Sequence, residues 1–193
     1  MVLDPGGATY LSDGVFHRTQ IETPWGPPVR NNDGCIFRYE PRTQKIERYV
    51  SYGFANPHGR VFDRCGNDII TDATGNANYF GPAFSGHLDS GAHPSMKQFW
   101  NRPSRPCPGT NILSSRHFPD DWQGQFLNTN VIGFQGIFRA KISEDGSGLK
   151  GDTIEPLVEG ILGDDEHEGN PNFRPSGIAV APKSSRRTVA PTR

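Results

Sequence analysis

Asn56-Pro57-His58-Gly59-Arg60-Val61-Phe62-Asp63-Arg64-Cys65-Gly66-Asn67-Asp68-Ile69-Ile70-Thr71-Asp72 reads as a short strand, a tight glycine turn and a second strand ending in an acid. Other parts of the chain repeat it. Leu3 to Asp13 matches its second half position for position, setting Asp4 on Asp63, Gly7 on Gly66 and Asp13 on Asp72, while Phe173 to Ala181 matches its first half. What precedes the unit also recurs: Ile36-Phe37-Arg38 returns as Ile137-Phe138-Arg139, and Lys45 to Val50 as Thr153 to Val158. A unit of about 40 residues or more, built of short strands and glycine-centred turns, predicts an all-β chain of the propeller kind.

Composition agrees. The 193 residues suffice for one domain, and 23 Gly, 17 Pro and 33% hydrophobic residues make the chain turn-rich and poor in helix formers. A formal charge of -1 gives no concentrated basic surface for nucleic acid or anionic membrane. No apolar run approaches the roughly 20 residues that span a bilayer, and Met1-Val2-Leu3-Asp4-Pro5 lacks the layout of a signal peptide. Cys35, Cys65 and Cys107 are too few and too scattered for a disulfide framework or a paired metal motif, so ordinary thiols are expected.

Taken in order, Ala8 to Asp13 alternates as a strand, and Phe16 to Arg30 reads as a loop held between prolines and glycines. Cys35–Tyr39 and Lys45–Val50 make a hairpin around Glu40 to Gln44. From residue 73 to about 110 the pattern stops, which predicts a long ordered loop insertion, usually a functional feature. Phe118 to Gly124 is a turn, Gln125 to Ile132 a strand, and Gly136 to Ile142 pairs through Glu144 to Gly148 with Thr153 to Val158. Gly163 to Pro171 reads as an acidic solvated loop. The repeat breaks after Pro182, so residues 1–182 are expected to be an incomplete propeller region and 183–193 a basic tail, disordered or out of frame.

Four stretches carry a family resemblance: Phe16 to Gly26, Tyr52 to Gly59, Thr71 to Pro82 and Phe99 to Gly109. In these the chain resembles the propeller region of the planctomycete-type membrane-bound dehydrogenase domain proteins, also called haem-binding CxxCH proteins. The resemblance runs from Tyr10 to Pro182. It implies part of a six-bladed β-propeller, about two blades plus the insertion, related to soluble quinoprotein glucose and sorbosone dehydrogenases. The parent would be periplasmic or envelope-associated, oxidise a sugar or alcohol, and pass electrons to a haem domain. This chain has no Cys-x-x-Cys-His and hence no haem site of its own, and a partial propeller is expected to be inactive alone.

The resemblance also implies cofactor positions. In those dehydrogenases an Arg-Asn-Pro-x-Gly turn meets pyrroloquinoline quinone (PQQ) and a strand-end loop gives backbone oxygens to Ca²⁺; the matching residues are Asn56, Gly59, Thr74, Gly75 and Asn76. Ala55 stands where the arginine would be, removing the guanidinium fork for a quinone carboxylate. His58 is the candidate general base, or else a turn histidine bonded to a neighbouring loop. Asp72 offers hard oxygens for Ca²⁺, or caps its turn as Asp13 would. His87, Asp89 and His93 match no standard metal spacing. Trp25, Tyr79, Trp100, Arg102 and Arg105 suit a sugar or an anion, and suit equally the packing of the insertion. A non-catalytic propeller that binds glycan or protein is the competing expectation.

Overall fold

Two turns set one repeat apart fold alike. Strands β1 (Val2–Leu3) and β2 (Thr9–Asp13) pair antiparallel with Val2 opposite Tyr10 and Leu3 opposite Thr9. Strands β7 (Pro57–Phe62) and β8 (Asp68–Asp72) pair with Val61 opposite Ile69 and Phe62 opposite Asp68, the same register one repeat on. The Asp4 N–H reaches the Ala8 carbonyl at 3.0 Å and the Gly7 N–H the Asp4 carbonyl at 3.0 Å; Asp63 and Gly66 make the equivalent bonds at 3.0 and 3.1 Å. Each acid also accepts from the residue closing its turn, Ala8 at 3.0 Å and Asn67 at 2.8 Å. Gly7 and Gly66 have φ of 91° and 84°, conformations a side chain resists. Gly7→Ala and Gly66→Ala should therefore each cost about 1–2 kcal/mol by urea denaturation, and clearly unequal costs would argue against the equivalence.

The computed structural model describes residues 1–52, 54–75, 78–80, 98–162, 165–169 and 172–181, and the chain is all-β. The first sheet runs β1-β2-β5-β6, with β5 at Cys35–Glu40 and β6 at Lys45–Val50. Between β2 and β5 the chain makes a separate hairpin, β3 (Arg18–Ile21) and β4 (Val29–Asn32). The second sheet is β7-β8-β9, with β9 at Asn78–Phe80. The third is β10-β11-β12-β13: Thr110–Ile112, Phe126–Thr129, Ile137–Asp145 and Gly148–Val158. A two-stranded ribbon, β14 (Ile161–Leu162) and β15 (Asp165–Gly169), follows. Every pairing is antiparallel.

The second sheet lies between the other two. Adjacent residues of a strand point to opposite faces, so Ile70 joins Tyr10, Ile36, Val50, Tyr52 and Phe54 against the first sheet. Ile69 joins Phe99, Trp100, Ile112, Phe126 and Phe138 against the third. On the far face of the first sheet, Cys35, Phe37 and Ile46 are covered by Ile21 and Val29 of the β3–β4 hairpin. Burial pushes the Cys35 thiol up to about 12 and raises that of Cys107; all three cysteines are free.

Four expectations need correction. The Phe16 to Arg30 loop contains the β3–β4 hairpin, hidden because Ile21 and Val29 are its only inward apolar residues and no alternation could build up. The insertion from residue 73 contains β9, and the acidic loop contains β15. The Phe173 to Ala181 half-repeat forms no strand among its described residues; it lies beside the third sheet, where the Asn111 side-chain amide donates to the Ile178 carbonyl at 3.1 Å. The described residues thus form three sheets of three or four strands and two two-stranded ribbons. No helix of the described residues is long and apolar enough to cross a membrane.

Candidate binding face

The start of β7 and the end of β8 meet at one rim of the second sheet, held by Asp72. This residue is fully buried. Its Oδ2 accepts the Ala55 N–H at 2.6 Å, and its Oδ1 accepts the N–H groups of Asn56 (3.0 Å), Thr74 (3.1 Å) and Gly75 (2.8 Å). An acid ending a strand thus ties the incoming loop to the outgoing one. Gly75 has to be glycine, because an added Cβ would sit 2.6 Å from the Asp72 carboxylate carbon.

The carbonyls of the same loop face two arginines. Arg102 donates through Nη1 to the Asp72 carbonyl and through Nη2 to the Gly75 carbonyl at 2.5 Å, and Arg105 Nη1 donates to the Thr74 carbonyl at 3.1 Å. Burial draws the Arg102 guanidinium below its ordinary value, with Cys107 and Asp72 opposing. The Asn56 amide donates to Thr74 Oγ1 at 2.5 Å. Gly59 fits against the Thr71 and Thr110 hydroxyls, which bond each other at 2.6 Å.

His58 is exposed on this rim, with Nδ1 3.2 Å from the Pro108 carbonyl. A carbonyl only accepts, so Nδ1 carries the proton of that bond and Nε2 of the neutral ring is left as the acceptor. Trp25 stands 71% exposed at the β3–β4 turn, whereas Trp100 is 2% exposed, donates to Thr153 Oγ1 at 2.9 Å and packs edge-on against Phe126. Trp100 is core rather than sugar platform. The Tyr79 side chain, Asn76, His87, Asp89 and His93 lie outside the described residues.

Among the described residues, the polar groups assigned to a quinone and Ca²⁺ are therefore bonded within the protein. Three loop carbonyls already hold the Arg102 and Arg105 guanidiniums, the Asp72 carboxylate is filled by backbone N–H groups, and Ala55 has no fork. The described residues of this set do not fit PQQ with Ca²⁺. Among the described residues no group of three or more His, Cys, Asp or Glu is placed to hold a metal.

No family model, curated protein or solved structure matches the chain.

Sequence reasoning missed the third member of the strand-end series and a second cluster. Asn130, following β11, plays the part of Asp72: its Oδ1 accepts the Phe134 and Gln135 N–H groups at 3.1 and 2.9 Å, and its Nδ2 donates to the Pro106 carbonyl at 3.2 Å. Asp13, the other member, instead binds side chains, His17 Nδ1 at 2.6 Å and the Thr19 hydroxyl. The signal was in the sequence: Asp72 is followed by Ala-Thr-Gly, which lends backbone donors, and Asp13 by Gly-Val-Phe-His, which does not.

Proposed function

We propose that the chain forms consecutive blades of a β-propeller of the dehydrogenase-domain type and acts as a carbohydrate-binding module. Three features support the scaffold: antiparallel sheets whose strands follow chain order, their face-to-face stacking in sequence, and the matched turns at Asp4 and Asp63. The observation that carries binding over quinone chemistry is the capture of the loop carbonyls of Asp72, Thr74 and Gly75 by Arg102 and Arg105. A guanidinium bonded to fixed carbonyls leaves no cation site to fill. What remains free is an exposed aromatic, Trp25, of the kind that stacks on sugar rings.

A glycan array followed by calorimetry tests this. The chain should bind a defined set of neutral glycans, Trp25→Ala should weaken the binding at least roughly tenfold, and Ca²⁺ should leave the melting temperature unchanged. Dye reduction with a sugar, quinone and Ca²⁺ would overturn the reading.

One observation favours the dehydrogenase alternative. His58 presents Nε2 as an acceptor at the rim, the arrangement a general base for a sugar or alcohol hydroxyl needs. Under that reading His58→Gln abolishes dye reduction; under the binding reading there is no dye reduction to abolish.

A further inference from the structure

We propose that the pocket beside the β3–β4 hairpin, about 500 Å³ and lined by Phe16, His17, Arg18, Asn32 and Asp33, is a subsite for one pyranose ring of the bound glycan; this rests on the carbohydrate-binding reading above.

Backbone strain is the first observation. Among the described residues the non-glycine positions with left-handed φ are Phe16 (69°), Asp33 (64°), Gln44 and Gln135, and two of them line this pocket. An aromatic residue is out of place there, and glycine would be free. Two bonds lock the pair: the Phe16 N–H donates to Asp33 Oδ1 at 3.0 Å, and the Asp33 N–H to the His17 carbonyl at 2.9 Å. The strain gains no packing in return, since Phe16 is 89% exposed. A ring held outward against its backbone preference is a feature kept for contact with something else.

The second observation is the polar equipment around that ring. His17 Nδ1 is 2.6 Å from Asp13 Oδ1, and a carboxylate only accepts, so Nε2 of the neutral ring faces outward as an acceptor. The Thr19 hydroxyl holds the other Asp13 oxygen, fixing the carboxylate that fixes the imidazole. His17 is 66% exposed. At the repeat-equivalent position Asp72 is spent on backbone, so Asp13 has been turned to orienting a side chain. An aromatic face for the C–H side of a pyranose, an oriented acceptor for a hydroxyl, and the Asn32 amide, Asp33 carboxylate and Arg18 guanidinium at the rim make a sugar-sized polar set around an apolar plate.

The test uses the whole chain and the glycans that bind it on the array, titrated by calorimetry against Phe16→Gly, His17→Gln and Trp25→Ala. Phe16→Gly should weaken binding at least roughly tenfold while melting at or above the wild-type temperature, because it relieves the left-handed φ. His17→Gln should weaken binding without changing the melt. If both variants bind as the wild type does while Trp25→Ala fails, the subsite is wrong and the module reading stands. A lower melting temperature for Phe16→Gly also overturns the subsite, since it makes the ring structural. If the wild-type chain binds no glycan, both fall.

Discussion

Replacing Asp68 by Ala should lower the free energy of unfolding by about 3–5 kcal/mol, because it leaves a buried guanidinium without its hydrogen-bonded partner. Arg60 and Asp68 lie diagonally across β7 and β8 with side chains 3% exposed, joined through Arg60 Nη2 and Asp68 Oδ2. Three rings surround the cation: its central carbon lies 3.6 Å from the Tyr10 ring centroid and 4.8 Å from those of Tyr49 and Phe62. The ring faces supply attraction, while Arg60 Nε, Arg60 Nη1 and Asp68 Oδ1 find no hydrogen-bond partner. Burial consequently outweighs the pairing. It pushes the Asp68 carboxyl up to about 7 and lowers the Arg60 guanidinium.

Two consequences separate this pair from a simple stabilising bridge. Asp68 has a folded value above the roughly 3.9 of an unfolded aspartate, so its contribution is present in full below that value and is lost as pH rises through about 7. The wild-type chain should be more stable at pH 5 than at pH 8 on this account, and the slope should vanish in the double variant Arg60→Met/Asp68→Leu. That double variant should unfold within about 1 kcal/mol of the wild type or above it, since apolar residues of similar volume escape the desolvation cost. Urea titrations at the two pH values decide it; a double variant as weak as Asp68→Ala would show that the pair itself stabilises the fold.

Where sequence reading succeeded and failed follows from what each residue bonds to. The β5–β6, β7–β8 and β12–β13 hairpins were legible because their turns and their alternation are local. The β3–β4 hairpin was not, since Arg18, Thr19 and Gln20 carry no apolar period and the residues around Trp25 resemble loop breakers. Aromatic content marked the insertion from residue 73 to about 110 as ordered but could not tell a buried Trp100 from an exposed Trp25, because the difference lies in which sheet each meets. Arg102 and Arg105 were left open between a ligand and the packing of the insertion. Their partners are backbone carbonyls, which every residue has and no sequence displays. The Arg60–Asp68 pair left no trace either: charges in a strand read as its solvent face until a second sheet is known to cover it.

The other large effect should come from Asp72→Ala, at about 4 kcal/mol, against less than about 1 kcal/mol for Asp13→Ala, although the two acids occupy equivalent places in the repeat. Asp72 is fully buried and accepts four backbone N–H groups, so its loss frees both the approach to β7 and the exit from β8. The arginine contacts should weaken with it, because Arg102 grips the Asp72 and Gly75 carbonyls that the carboxylate holds in place. Asp72→Ala and Arg102→Ala should accordingly cost less together than the sum of the single changes. Asp13 has only the exposed His17 and the part-buried Thr19 as partners, and water replaces them. Asp72→Asn should fall between the extremes, since Asn130 shows that an amide oxygen in this position can receive two backbone N–H groups but brings donors of its own. Urea denaturation of the five variants measures all of this. Equal costs for Asp13→Ala and Asp72→Ala would mean that the clasp at Asp72 neither holds the rim nor closes its loop to a metal.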